Sequence, residues 1–526
     1  MRKKTSLLFL AVWLLVTLPG CDKRAKEKVK QDTENLRPNI IIIMTDDHAY
    51  QAISAYDTTL IRTPNIDRLA EEGMRFANSF VSNSVSSPSR AVCLTGKHSH
   101  RNGHIDNTCV FDSTQQTFPK IMQSSGYQTA LIGKWHLVST PTGFDHWEIL
   151  PGQGEYYHPE FITENGKHRE QGYVTDIITD KAIHWIAEQR DQNKPFVLLC
   201  NHKAPHREWS PSPADYPIVL SKTYPEPETL FDDYSGRGTA AKTAEMRIKD
   251  HMGLTMDSKL PPGLVDSLGY NEFLSWYHTD YTHIRRNLSE EELAAIDDTY
   301  RPMIEDFRRN PRTGEELTRW KYQRYMQDYL TTIKSVDDNI GRLYNHLKEN
   351  NLLENTLIVY VSDQGFYLGE HGWFDKRFMY EESFRTPLIM RYPKIIKANS
   401  VNYDLVQNID YAETFLDLAG ITIPDDMQGR SLLPLLRGEK VEWRDALYYH
   451  YYEYPSIHAV KRHYGVRTDR YKLIHFYYDI DEWELYDLQN DPKEMNNVID
   501  APQYQEIKKM LMKRLAELRE EYGDHG

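Results

Sequence analysis

Five short polar clusters carry the residue types that could do chemistry. Asp46-Asp47 is a pair of adjacent carboxylates, and Ser362-Asp363-Gln364-Gly365 adds a third carboxylate and an amide oxygen. Hard oxygen donors of this kind suit a divalent cation such as calcium or magnesium. Gly133-Lys134-Trp135-His136 and Lys203-Ala204-Pro205-His206 each pair an amine with an imidazole. An amine can offset the charge of an anion, and an imidazole can move a proton near neutral pH. Ser86-Ser87-Pro88-Ser89-Arg90 places hydroxyls and a guanidinium at what the Ser/Pro pattern reads as a turn opening a helix.

Four of these clusters follow directly on apolar runs. Residues 40–44 are Ile-Ile-Ile-Ile-Met, a continuous run that fits a strand buried on both faces of a parallel sheet. Residues 127–132, 196–200 and 357–361 read as further strands. Ligands of open α/β sheets sit at the carboxyl ends of the strands, so all four clusters are expected on one rim. That convergence does not by itself name a reaction. Helices are expected at 63–73, at 174–190 and at 411–418. A longer one covers 325–347, where Tyr325, Tyr329, Ile333, Val336, Ile340, Leu343 and Leu347 recur at helical spacing. Residues 207–315 are rich in Pro, Asp, Glu and Tyr and read as a long insertion over one face of the sheet. From about 440 the pattern changes to short Tyr-rich strands (446–452, 464–467, 471–476, 483–486) and a last amphipathic helix, 503–522. The fold class is α/β: a large, mixed, mostly parallel sheet sandwiched by helices, with a smaller C-terminal α+β unit built on an antiparallel sheet. The division is 38–435 for the main domain and 436–526 for the second.

The run Ser86-x-Pro88-Ser89-Arg90-x-x-x-Leu94-Thr95-Gly96 is more specific than any of the clusters. Its specified positions recur by chance on the order of once in ten million start points at ordinary residue usage. It matches the signature of the type I sulfatases of the alkaline phosphatase superfamily, and the chain from about residue 37 to its last helix resembles that family. The resemblance implies that Ser86 is oxidised by a maturation enzyme to formylglycine (3-oxoalanine). The hydrated aldehyde would then attack sulfur, and its second hydroxyl would expel sulfate. It implies calcium held by Asp46, Asp47, Asp363, Gln364 and the modified Ser86. Gln364 stands where many relatives have Asn or His. It implies that Arg90 orients the hydrate, that Lys134 and Lys376 contact sulfate oxygens, that His136 takes a proton from the hydrate and that His206 protonates the leaving alkoxide. Lys376 lies in Gly372-Trp373-Phe374-Asp375-Lys376-Arg377-Phe378, and the nearby Glu381 and Glu382 read as structural. A Ser-type signature resembles bacterial enzymes matured by a radical enzyme.

The expected substrate is a sulfated carbohydrate. The run 362–387 is similar to carbohydrate sulfatases of glycosaminoglycan and mucin breakdown, with N-acetylglucosamine-6-O-sulfatases as the nearest resemblance. Sulfatases for galactose, N-acetylgalactosamine or marine polysaccharides remain alternatives, as do phosphoester or phosphonate hydrolases of the same superfamily and a non-enzymatic glycan-binding lipoprotein. Residues 451–467 are dense in His, Lys, Arg and Tyr, so His458, Arg462 and His463 are expected to contact the sugar.

The chain has 526 residues and a formal charge of −14, with 12% aromatics. It is a folding composition, and its acidic balance argues against a nucleic-acid binder. Arg2, Lys3 and Lys4 precede a 12-residue apolar run, 7–18. That is short of the ~20 residues of a membrane span and reads as an export signal over residues 1–20. Leu18-Pro19-Gly20-Cys21 resembles a lipoprotein box, making Cys21 a candidate for lipidation, with 21–37 a charged tether. The expected location is the periplasm, or the outer membrane or cell surface of a Gram-negative bacterium through a lipid anchor. Pairing among Cys93, Cys109 and Cys200 is left open by their spacing.

Overall fold

The structure is a computed structural model and describes residues 37–525. The expected export signal, Cys21 and nearly all of the tether lie outside the described residues.

Ten strands form the main sheet. From one edge to the other they are Ser400–Asn402, Met74–Phe76, Leu388–Arg391, Thr356–Ser362, Asn39–Thr45, Phe196–Asn201, Gln128–Lys134, His146–Leu150, Glu160–Thr163 and Gly166–Arg169. The five from Thr356–Ser362 to His146–Leu150 are mutually parallel, and antiparallel neighbours flank them on both sides. In the central register Ile42 lies between Leu199 and Val359.

The isoleucine run is explained by what covers the two faces. Ile41 and Ile43 face a layer containing Ile178, Val336, Ile340 and Leu347, from the helices Val174–His184 and Gly314–Glu349. Ile40, Ile42 and Met44 face the opposite layer, with Ala91, Leu94, Phe118 and Phe415. None of Ile40–Ile43 is more than 4% exposed. Each such side chain contributes about 1.5–3 kcal/mol on burial, so one polar substitution in this strand would be felt on whichever face it lands.

The segment 207–315, read as a long insertion over one face of the sheet, holds several helices. Its largest piece is the 20-residue helix Glu290–Arg309, opened by a capping box in which Ser289 and Glu292 each bond the other's backbone N–H. Ile296, Tyr300, Met303 and Phe307 are its buried stripe, and they join the same layer as Val336 and Ile340. Helix Gly314–Glu349 likewise begins a full three turns before the apolar stripe suggests.

The second sheet is an antiparallel meander of Ala446–Tyr451, His463–Thr468, Tyr471–Phe476 and Glu482–Asp487. One face packs on helix Gln505–Tyr522 through Leu511, Leu515 and Leu518. The other face packs on Phe80, Trp373, Phe378 and Tyr380 of the main domain. Tyrosine rings fill the joint between the two sheets, and Tyr449 places its hydroxyl on the carbonyl of Arg377 at 2.6 Å. Cys93, Cys109 and Cys200 are free thiols, so none of the pairings left open by their spacing forms.

Candidate active site

The strand ends deliver the clusters to one rim. Asp46 and Asp47 follow strand Asn39–Thr45, Lys134 ends strand Gln128–Lys134, and Asp363 and Gln364 follow strand Thr356–Ser362. Ser86 is the first residue of helix Ser86–Thr95, all ten residues of which are buried. Gly96 ends that helix at φ 63°, the left-handed stop that glycine takes without strain. Gly133, at φ 102°, lets strand Gln128–Lys134 lie against its neighbour, because a Cβ there would run into the carbonyl of Asn201.

The contacts tie every cluster to the next. Ser86 Oγ donates to Asp46 Oδ1 at 3.0 Å, and the other oxygen of Asp46 is paired with Lys134. Asp47 Oδ1 takes Lys376 Nζ and Gln364 Nε2, both at 2.5 Å. Asp363 Oδ1 accepts the backbone N–H of Asp47 at 3.2 Å. Its Oδ2 accepts both Nε and Nη2 of Arg90, at 3.0 and 2.9 Å, while Arg90 Nη1 holds the carbonyl of Lys134 at 3.1 Å. Gln153 bridges Lys134 and His136, bonding the imidazole at 3.1 Å. His206 Nε2 lies 3.8 Å from Asp47 Oδ2. Asp47 and His136 hold φ values of 67° and 59°, a conformation costing about 1–3 kcal/mol at a non-glycine residue and typical of functional sites.

Burial dominates the proton affinities. It pushes the Asp47 carboxyl up to about 7, against the pull of Lys376. Burial also drives the Lys134 amine well below its usual range, opposed by Asp363. His136 is held well below the ordinary imidazole range by burial and then by Lys134 and Arg90. His206 is held there by burial and then by Lys134, Lys376 and Lys203.

Can this rim hold a cation? Ligand oxygens of Asp46 and Asp47 and a ring nitrogen of His206 lie within 4.8 Å of one another. Asp47 Oδ2 and Gln364 Oε1 are buried without a hydrogen-bond partner. Buried acceptors of this kind demand a counterpart, so the donor set fits a metal that prefers oxygen.

The rim opens into a cleft of ≈340 Å³, within the range usual for ligand sites. Ser86, His206, Lys376 and His458 line it. So do Asn107, Gln153, Trp276, Asp280, Asp375, Arg377 and Glu453, none of which the sequence singled out as a ligand contact. They come from segments far apart in the chain, and only the clustering of Asp375 and Arg377 around Lys376 hinted at any of them. His458 Nε2 reaches Asp375 Oδ2 at 3.3 Å.

Two expected sugar contacts are corrected. His463 is fully buried between the sheets, with Nε2 accepting from the N–H of Met379 at 3.1 Å and Nδ1 on the carbonyl of Lys461. Arg462 bonds the carbonyl of Tyr454 at 2.9 Å, lies over the ring of Tyr478 and does not line the cleft. Glu381 is structural, as read, bonded to Arg467 and Lys472. A larger cleft of ≈580 Å³, bordered by Phe231, Tyr234 and Arg247, is lined by none of the rim residues.

Comparison with known proteins agrees with this geometry. Residues 38–421 match the family model described as sulfatase, and 369–521 match the model described as N-sulphoglucosamine sulphohydrolase, C-terminal. The chain is 51% identical over 532 aligned positions to an N-acetylglucosamine-6-O-sulfatase of Bacteroides thetaiotaomicron, covering 100% of this chain and 92% of that protein. It is 28% identical to the human N-acetylglucosamine-6-sulfatase, over 78% of this chain and 66% of that one. Among solved structures, one in complex with its substrate D-glucosamine-2-N,6-O-disulfate superposes with a TM-score of 0.88 at 51% identity, covering 93% of this chain and 99% of the other. The chain therefore belongs to the sulfatase family and is a sulfuric ester hydrolase of the alkaline phosphatase superfamily.

Proposed function

We propose that this sulfatase removes the 6-O-sulfate from N-acetyl- or N-sulfo-glucosamine during the breakdown of glycosaminoglycan or mucin glycans. The observation that carries the site is the convergence of Ser86, the Asp46, Asp47, Asp363 and Gln364 oxygens and the amines of Lys134 and Lys376 on one rim, opening to a sugar-sized cleft. The sugar assignment is supported by the likeness, at 51% identity, to an N-acetylglucosamine-6-O-sulfatase and to a structure solved with D-glucosamine-2-N,6-O-disulfate as its substrate. The export pattern at residues 1–21 supports an activity outside the cytoplasm, in the periplasm or at the cell surface.

Asp46, Asp47, Asp363 and Gln364, with the residue at 86, would hold calcium, which when bound supplies Lewis-acid stabilisation of charge on the sulfuryl oxygens. Ser86, once oxidised by its maturation enzyme, would supply the nucleophile of a two-step covalent hydrolysis. Lys376, and Lys134 once an anionic ester beside it raises its proton affinity, offset the repulsion between that ester and the carboxylates around it. Arg90 fixes the Asp363 carboxylate with a two-nitrogen fork, so the ligand geometry does not depend on a rotamer. His136, held neutral by its surroundings, can take a proton at the rim. His206 gives a proton to the departing sugar oxygen at the cleft wall, and the arrival of a sulfate anion beside it raises its proton affinity. One water is consumed for each sugar hydroxyl and sulfate formed.

A panel of 6-O-, 4-O-, 3-O-, 2-O- and N-sulfated glucosamine and galactosamine sugars, read by free sulfate, tests the assignment. The 6-O-sulfated glucosamines should be turned over at least about 100-fold faster than any other member, since a site that hydrogen-bonds one arrangement of hydroxyls rejects others strongly. Equal or faster release from another sugar or position overturns the substrate assignment and leaves the family membership standing.

A further inference from the structure

We infer that Asp257 is a positioning residue for His206, acting from the 207–315 segment through Arg207. This rests on the role proposed above for His206.

The chain of contacts is continuous and buried. His206 Nδ1 donates to the carbonyl of the next residue, Arg207, at 2.5 Å. An imidazole whose Nδ1–H is committed to a carbonyl can gain and give up its second proton only at Nε2, the nitrogen that faces Asp47 3.8 Å away. Orientation therefore depends on where the Arg207 carbonyl stands. The Arg207 side chain is locked by a two-point ion pair, Nε to Asp257 Oδ1 at 2.7 Å and Nη2 to Asp257 Oδ2 at 2.6 Å. Asp257 is itself fully buried and pinned by the N–H of Gly253 at 2.7 Å. Arg207 Nη2 also donates to Tyr277 OH at 2.9 Å, and that hydroxyl donates to the carbonyl of His251. The guanidinium lies against the rings of Tyr277 and Phe374, at 5.2 and 5.0 Å. On its other side the His206 carbonyl accepts Tyr156 OH at 2.6 Å.

The same clamp fixes a wall of the cleft. Tyr277 begins the helix Tyr277–Arg285, whose neighbour Trp276 and member Asp280 both line the cleft, as does Met256 next to Asp257. Through Arg207, the segment that shapes the sugar site is mechanically joined to the imidazole that must meet the sugar oxygen. The signal in the sequence was absent because fifty positions separate Arg207 from Asp257.

The test is a double-variant cycle on N-acetylglucosamine-6-sulfate, with kcat, KM and melting temperature measured for Asp257→Asn, His206→Ala and the pair. Asp257→Asn should lower kcat about 10–100-fold with KM changed less than about threefold, within the range attributed to a misplaced acid. The pair should be no slower than His206→Ala alone. Tyr277→Phe, which keeps the ion pair and removes one hydroxyl, should give a smaller loss that also vanishes in the His206→Ala background. It decides the matter if Asp257→Asn does not fold. Losses that multiply in the double variants, or a kcat for Asp257→Asn within twofold of wild type, overturn the inference. A wild-type kcat in His206→Ala would instead remove the acid role on which it rests.

Discussion

Ser86→Ala is expected to abolish sulfate release, with a loss on the order of 10⁵-fold or more, as for other covalent enzymes stripped of the attacking atom. The same variant should melt within about 1 °C of wild type. Ser86 is 2% exposed and its side chain makes one hydrogen bond, to Asp46. Deleting one hydroxyl there costs about 1 kcal/mol, and at about 2.1 cal/mol/K per residue that moves the melting point of a chain this long by roughly one degree. Helix Ser86–Thr95 does not need the hydroxyl for its start, since no side chain caps it and its residues are held by burial. Activity measured as free sulfate, with a thermal melt on the same sample, checks both halves. Appreciable turnover in this variant would mean that another group attacks sulfur.

Asp363→Ala should fail in both respects. Asp363 is fully buried and receives two nitrogens of Arg90 and the N–H of Asp47. Its removal leaves the Arg90 guanidinium, only 3% exposed, without its anion. Breaking a buried pair in this way costs about 3–5 kcal/mol, a fall of about 3–5 °C in melting temperature. Turnover should drop by at least about 10³-fold, because the carboxylate proposed to hold the cation and the anchor of Arg90 go together. The contrast between the two variants separates an atom that reacts from one that organises the rim. A melting curve for Asp363→Ala superposable on wild type would show that the Arg90 fork is not the strut described here.

Much of this rim was legible because its residues are tied to strand ends. The run Ile40–Met44 is apolar at every position, which only a doubly covered strand tolerates, and the carboxylates follow immediately. The same logic located Lys134 and Asp363. The motif from Ser86 to Gly96 was legible for a different reason: its serine, arginine and glycine each meet a separate demand, at the helix start, on Asp363 and at the left-handed stop. The helix Glu290–Arg309 was missed although Ser289 and Glu292 spell a capping box and four apolar residues repeat at helical spacing. Pro302, a residue that ordinarily interrupts a helix interior, masks that signal.

The sugar cleft was the least legible part. His458, Arg462 and His463 looked equivalent in a basic, aromatic run, yet His458 meets Asp375 at the cleft and His463 packs between two sheets. Charge and ring content do not tell which way a strand residue points; that follows from register, and the register is set by partners such as Phe476 opposite His463. Trp276, Asn107 and Gln153 had no spacing signal at all, because a cleft wall assembled from separate loops leaves no periodic trace.

The most direct measurement is the mass of the Ser86-bearing peptide from protein that is turning over substrate, made in a host with the maturation system. It should be lighter than the encoded peptide by two hydrogens, the signature of an aldehyde at position 86. Fully active protein whose Ser86 peptide has the unmodified serine mass would contradict the aldehyde-centred chemistry outright.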